Sequence, residues 1–123
     1  VRLPATSWGG VGRDGDHLAF NSNATANARW VARRAGRYRV SLELGGSKAV
    51  GGYPVARVVC DARNLGEVAL DGAAFKTYEL EVTVPAGPHN LAVIFTNDAY
   101  EPPEDRNMKL RGAVLRLVPP RIY

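Results

Sequence analysis

Two stretches of this chain alternate apolar and polar residues without a break. Tyr38, Val40, Leu42 and Leu44 alternate with Arg37, Arg39, Ser41 and Glu43, and Tyr78, Leu80, Val82 and Val84 alternate with Glu79, Glu81 and Thr83. A period of two sends successive side chains to opposite faces of an extended strand, so each stretch predicts a strand with one buried face. Leu91, Val93 and Phe95 repeat the pattern, with Asn90, Ala92, Ile94 and Thr96 between them. Residues 55–60 are almost continuously apolar and read as a central strand. Residues 28–32 predict a strand with Trp30 in the core, and residues 17–21 a brief one. Residues 1–6 form a short candidate that Pro4 restricts to a sheet edge. Met108, Leu110, Leu115 and Leu117 cannot share one face at strict period two, and a bulge near Arg111-Gly112 would reconcile them.

Turn residues punctuate these strands. Ala35-Gly36, Asp61-Ala-Arg-Asn64 and Asp71-Gly72 each turn the chain, and Pro85-Ala-Gly-Pro88 predicts a tight hairpin between the strands on either side of it. Residues 45–52 are glycine-rich and read as a flexible loop; no helical pattern follows Gly45-Gly-Ser-Lys48, so a phosphate cradle is excluded. Residues 21–27 are small and polar, and the sequon Asn23-Ala-Thr25 within them is a common chance match. Strands recur roughly every 8 to 12 residues and no helical period is sustained. The expected fold is therefore all-β: an antiparallel β-sandwich, jelly-roll-like, of about eight strands, forming a single domain over residues 1–123.

Composition narrows the function. With 46% hydrophobic and 23% charged residues the chain reads as an ordinary globular protein. Its net charge of +4 and pI of 9.6 raise the question of nucleic acid, but the basic residues are dispersed, with tight clusters only at Arg33-Arg34 and Arg37-Tyr-Arg39. A solvated basic surface, without nucleic acid as partner, is the expectation. The one cysteine, Cys60, excludes an internal disulfide and a cysteine-based zinc cluster, and its apolar context predicts a buried thiol. No apolar run approaches the roughly 18 residues of a membrane span, so no membrane insertion is expected. No signal peptide is present, and the chain starts as a mature protein or an excised module would. Nothing supplies a Ser–His–Asp arrangement or a histidine-bound metal-water site, which argues against an enzyme.

One segment runs against the basic balance. Between Asn97 and Asn107 lie Asp98, Glu101, Glu104 and Asp105 against a single arginine, Arg106, in a loop between two apolar strands. Like charges so crowded repel unless a cation neutralises them. Carboxylates and amides without Cys or His suit a hard ion such as calcium, which takes about six to eight oxygen ligands. The alternative is a solvated acidic loop stiffened by Pro102-Pro103. The spacing is not that of an EF-hand.

Several motifs then occur in a characteristic order: Gly51-Gly-Tyr-Pro54, Val55-x-Arg-Val-Val-Cys-Asp61, Tyr78 in its alternating strand, Ala86-Gly-Pro-His89, Phe95-Thr-Asn-Asp-Ala-Tyr100 and Asp105-Arg-Asn-Met108. From about residue 36 to residue 117 this pattern resembles the calcium-dependent xylan-binding carbohydrate-binding modules of family 60, related to family 36. The resemblance implies a non-catalytic β-sandwich whose loop-bound Ca2+ coordinates vicinal sugar hydroxyls of a polysaccharide. Carried over by position, it implies that Asp98, Asp105 and Asn107 hold the ion, with Asn97 and loop carbonyls assisting, and that Tyr53 and Tyr100 stack on sugar. Arg106 either contacts ligand or pairs with Asp98 or Asp105 to fix the loop. Three features depart from the family pattern: Lys109 and Arg111 replace an aromatic and an acidic residue, Tyr53 replaces the usual Trp before Pro, and residues 1–6 lack the N-terminal acidic residue of related modules. The resemblance further implies an extracellular, cell-surface or periplasmic bacterial protein in which the module is appended to other domains. A structural or protein-interaction sandwich without ion or sugar is the competing expectation.

Overall fold

A computed structural model describes residues 1–120. The strands are β1 (Arg2–Pro4), β2 (Trp8–Gly9), β3 (Arg13–Asp14), β4 (His17–Phe20), β5 (Ala24–Ala32), β6 (Gly36–Gly46) and β7 (Val55–Cys60). They continue as β8 (Arg63–Ala69), β9 (Lys76–Val84), β10 (Gly87–Phe95), β11 (Ala99–Glu101), β12 (Glu104–Arg106) and β13 (Met108–Leu117). Eight of these, β4 to β10 and β13, are four residues or longer and carry the architecture. One sheet pairs in the order β3-β4-β13-β6-β9, with β1 also on β13, and the second in the order β2-β5-β10-β7-β8. Counting the eight long strands alone, the orders are first-eighth-third-sixth and second-seventh-fourth-fifth, all antiparallel, which is the jelly roll.

The inward residues of both sheets form one core. Leu18, Phe20, Val40, Leu42, Leu44, Met108, Leu110 and Leu115 face Trp30, Val58, Cys60, Leu91, Val93 and Phe95, all at most 2% exposed. The register of β13 against β6 shifts between Leu110 and Gly112, so the expected bulge is present. It returns Ala113 and Leu115 to the inward side after Met108 and Leu110, while Leu117 is 38% exposed.

Three expectations need correction. The strand expected from Ala28 begins at Ala24, because the small polar residues before it complete the ladder with β10 up to Phe95. Residues 45 and 46 continue β6, and segment 47–54 is tied down by backbone hydrogen bonds at Ser47, Ala49 and Gly52 rather than flexible. Most consequentially, β9 and β10 do not form a hairpin. β9 pairs with β6 and β10 with β5 and β7, so residues 85–86 carry the chain from one sheet to the other.

The jelly-roll connectivity sorts the connections to two ends. Segments 21–23, 47–54, 70–75 and 96–107 gather at one end, where Gly46 N–H bonds to the Ala73 carbonyl and Leu70 N–H to that of Pro54. Segments 33–35, 61–62 and 85–86 close the other.

Candidate calcium and sugar site

The acidic segment is more ordered than a simple loop. β11 and β12 form a small hairpin with Ala99 opposite Arg106, Tyr100 opposite Asp105 and Glu101 opposite Glu104, turning at Pro102-Pro103. Asp98 and Asn107 flank the hairpin, each one residue beyond its outermost pair. Because alternate residues share a face, Asp98, Tyr100, Asp105 and Asn107 lie together on one side, with Ala99 and Arg106 on the other. Three of the four residues on the outer side are the expected ion ligands, and the fourth is an expected sugar platform.

Arg106 explains why the hairpin sits where it does. Its side chain is buried, and its guanidinium donates to the carbonyls of Gly52 (2.9 Å), Asn97 (2.6 Å) and Ala49. This corrects the expected pairing with Asp98 or Asp105: the partners of the residue are backbone oxygens. The planar fork with five donors suits an array of carbonyls that a lysine could not span. Around it, residues 49 and 52 bridge each other, and Gly52 lets the backbone come within reach, since a Cβ there would stand 3.1 Å from a guanidinium nitrogen. At Gly46 a Cβ would run into the Asn107 carbonyl, so the glycine pair permits the hairpin to pack against β6.

Polar side chains complete the frame. Ser47 Oγ donates to the Asp105 carbonyl and accepts from Asn107 N–H (3.0 Å), while Ser47 N–H bonds to the Asn107 carbonyl (2.9 Å). Asn97, expected to help hold the ion, brackets the start of β7: its Oδ1 accepts from Val55 N–H (2.7 Å) and its Nδ2 donates to the Tyr53 carbonyl (3.1 Å). Its carbonyl is the one engaged by Arg106, which leaves the residue a structural role. Asn23 enters from the connection just before β5, whose first residue Ala24 pairs with Phe95, and its Oδ1 accepts the Asp98 N–H at 2.8 Å. Glu104 reaches back to Val50 N–H at 3.4 Å, and Glu101 is exposed.

The remaining polar atoms fit a hard cation. Asn107 Oδ1 is buried and accepts no hydrogen bond; the only other such side-chain atom among the described residues is the indole nitrogen of Trp30 in the core. Asn107 Nδ2 donates to Asp105 Oδ2 at 3.3 Å. An acceptor without a donor is costly unless a cation or water meets it. Among the described residues no three His, Cys, Asp or Glu side chains cluster to hold a metal. An ion here would therefore draw on two carboxylates and one amide, leaving about three or more positions for carbonyls, water or sugar hydroxyls.

The two aromatic candidates differ. Tyr100 is 68% exposed on the same side as these oxygens, while Tyr53 is half-buried against the core with Lys48 Nζ 5.9 Å from its ring centre. Arg111 is drawn away from the site: its Nε lies 3.3 Å from Asp16, its Nη1 3.1 Å from Glu43, and its guanidinium stacks 3.9 Å above the Phe75 ring.

The model of the calcium-dependent, xylan-binding carbohydrate-binding modules, family 60, matches residues 39–115. The chain belongs to that family. It is thus a non-catalytic carbohydrate-binding module, with calcium as its cofactor. No curated protein sequence matches the module. Among solved structures it is similar to a family 36 module in complex with calcium and xylotriose, at 12% identity and a TM-score of 0.70 over 94% of this chain and 99% of that one. It is also similar to a mannan-binding module from Man5C, at 18% identity and a TM-score of 0.71 over 97% and 99%. A third likeness is to a Podospora anserina β-(1,4)-mannanase with a family 35 module, at 16% identity and a TM-score of 0.66 over 99% of this chain but 28% of that one. These likenesses show the jelly-roll fold.

Proposed function

We propose that the module binds a β-linked polysaccharide, xylan or a related chain with accessible vicinal hydroxyls, through a calcium ion held by Asp98, Asp105 and Asn107. The observation that carries this reading is the buried, unpartnered Oδ1 of Asn107 on the side of the hairpin shared with both aspartates. Two adjacent sugar hydroxyls can replace water on a cation whose protein ligands leave positions open. Tyr100 offers its exposed ring as a stacking face beside them. Asn23 fixes the backbone at Asp98, and Arg106 with Asn97 holds the hairpin against the 47–54 segment.

The module acts as one unit over residues 1–123, appended to other domains of an extracellular or surface-attached bacterial protein. The neighbours that are parts of longer enzymes support that arrangement. The test is isothermal titration of xylo-oligosaccharide into the protein with calcium, after chelation, and with Asp105→Asn. Heat of binding with calcium alone, lost in the other two conditions, supports the reading. Binding that ignores chelator and substitution contradicts it, and a module that binds no glycan at all returns the fold to a structural role.

A further inference from the structure

Lys109 and Arg111 lie on the outward side of β13 directly beyond Asn107. Two successive outward steps from Asn107 reach Arg111, a span of about 13 Å along the strand. There a groove of about 410 Å³ opens on the outer face of the sheet, lined by Arg2, Arg13, Ser41, Thr77 and Arg111 among others. Its two acidic residues, Asp16 and Glu43, are both paired with Arg111. Asp14, beside Arg13, is turned to His17 at 4.0 Å. Among the described residues Arg2, Arg13 and Lys109 are exposed and have no carboxylate partner. Counting Arg2, Arg13, Lys109 and Arg111 against Asp14, Asp16 and Glu43, the groove and its approach carry one positive charge in excess, together with the hydroxyls of Ser41 and Thr77 that suit a sugar.

We infer that this face receives a carboxylate-bearing sugar of the same polysaccharide, so that the preferred ligand is a uronate-substituted chain. The inference rests on the proposed calcium-mediated binding, with the polysaccharide continuing from that site across β13 as part of the proposal. A carboxylate meeting an arginine gains charge-assisted and often bidentate hydrogen bonds that a neutral sugar lacks. A single-stranded nucleic acid would need exposed rings on which to stack, and none of the described residues lining the groove is aromatic.

The experiment compares glucuronoxylan with the same polymer after chemical reduction of its carboxyl groups, both with excess calcium at low ionic strength. Wild-type module should bind the uronate polymer roughly fivefold or more tightly than the reduced one. The triple variant Arg2→Gln, Arg13→Gln, Lys109→Gln should lose that difference, and an unchanged melting curve would show its fold kept. Equal affinity of the wild type for both polymers overturns the inference and leaves the calcium site standing. Failure to bind either polymer with calcium present sinks the reading beneath it as well. Competition by dextran sulfate as strong, charge for charge, as by glucuronoxylan would reveal a general polyanion field and also overturn it.

Discussion

At the end of the sandwich away from the candidate site, two or three residues suffice to join each pair of strands, and the His89–Asp61 pair there is fully engaged. His89 is buried, with Nδ1 2.8 Å from Asp61 Oδ2 and Nε2 2.7 Å from the Pro85 carbonyl. Both partners accept, so the imidazole donates from both nitrogens and is held as the cation. Asp61 Oδ1 in turn accepts from Asn90 N–H at 2.9 Å, and Tyr38 Oη donates to the Arg34 carbonyl at 2.7 Å. The other end spends many more residues and satisfies nearly all of them, yet leaves Asn107 Oδ1 without a donor and Tyr100 in solvent. One end closes the fold; the other builds a rigid frame around a deliberately incomplete centre. Stability and binding should therefore respond to substitution at different places.

The largest effect is expected where the site end itself is framed. Arg106→Ala removes three hydrogen bonds to carbonyls, those of Ala49 and Gly52 keeping only each other's N–H, and a loss of about 3 kcal/mol or more is expected in urea denaturation, together with loss of any calcium response. Arg106→Lys should rescue little, since an ammonium cannot reproduce the fork. A melt within a degree of wild type would show that the frame is held by something else.

Next comes the closed end. His89→Ala removes two hydrogen bonds at a partly exposed pair, which should cost about 1–2 kcal/mol and leave calcium binding intact. The pH dependence separates this from simple loss of packing. Burial alone would lower the His89 pKa, but the Pro85 carbonyl and the Asp61 carboxylate outweigh it and raise the value above the usual 6.5. The backbone N–H of Asn90, opposed by slight burial and aided by His89, lowers Asp61 below 3.8. The histidine's contribution is complete below pH 6.5 and fades as pH rises through its raised value; the aspartate's is complete above 3.8 and fades as pH falls through its lowered one. The stability gap between wild type and Asp61→Asn should thus be widest between about pH 4 and 6.5 and should narrow towards pH 8. A gap independent of pH would remove charge from the account of this end.

Substitutions at the incomplete centre should barely touch stability. Asn107→Leu removes a buried acceptor that has no donor, so without calcium the change should stay within about 1 kcal/mol. With calcium the wild type should melt higher and the variant should not, because only the intact site binds the folded state. Smallest for stability is Tyr100→Ala, expected within about 0.5 kcal/mol at so exposed a site. Its effect belongs to binding, a roughly three- to tenfold weaker affinity for xylan at saturating calcium.

Much of this was legible in the residues, and the exceptions share a cause. Period-two alternation gave away the strands now seen as β6, β9 and β10, and the crowding of carboxylates marked the hairpin between β10 and β13. Alternation says which face of a strand is buried but not which sheet the strand joins, so residues 85–88 passed for a hairpin turn. Arg106 looked like a partner for nearby aspartates because carbonyl groups carry no mark in a sequence. Asn23 stood in a chance sequon, and its bond to Asp98 spans 75 positions. Asp61 and His89 each stood in an unremarkable turn, and the pairing of β7 with β10 brings them together. What long-range topology creates, local pattern cannot display.

The contrast between the two ends comes to its sharpest point at one side chain. Calcium titrated calorimetrically into wild type, Asn107→Leu and His89→Ala proteins should give a saturable heat with the first and third and none with the second. Equal calcium binding by Asn107→Leu, or binding abolished by His89→Ala in a folded protein, would contradict the assignment of the ion to the hairpin end.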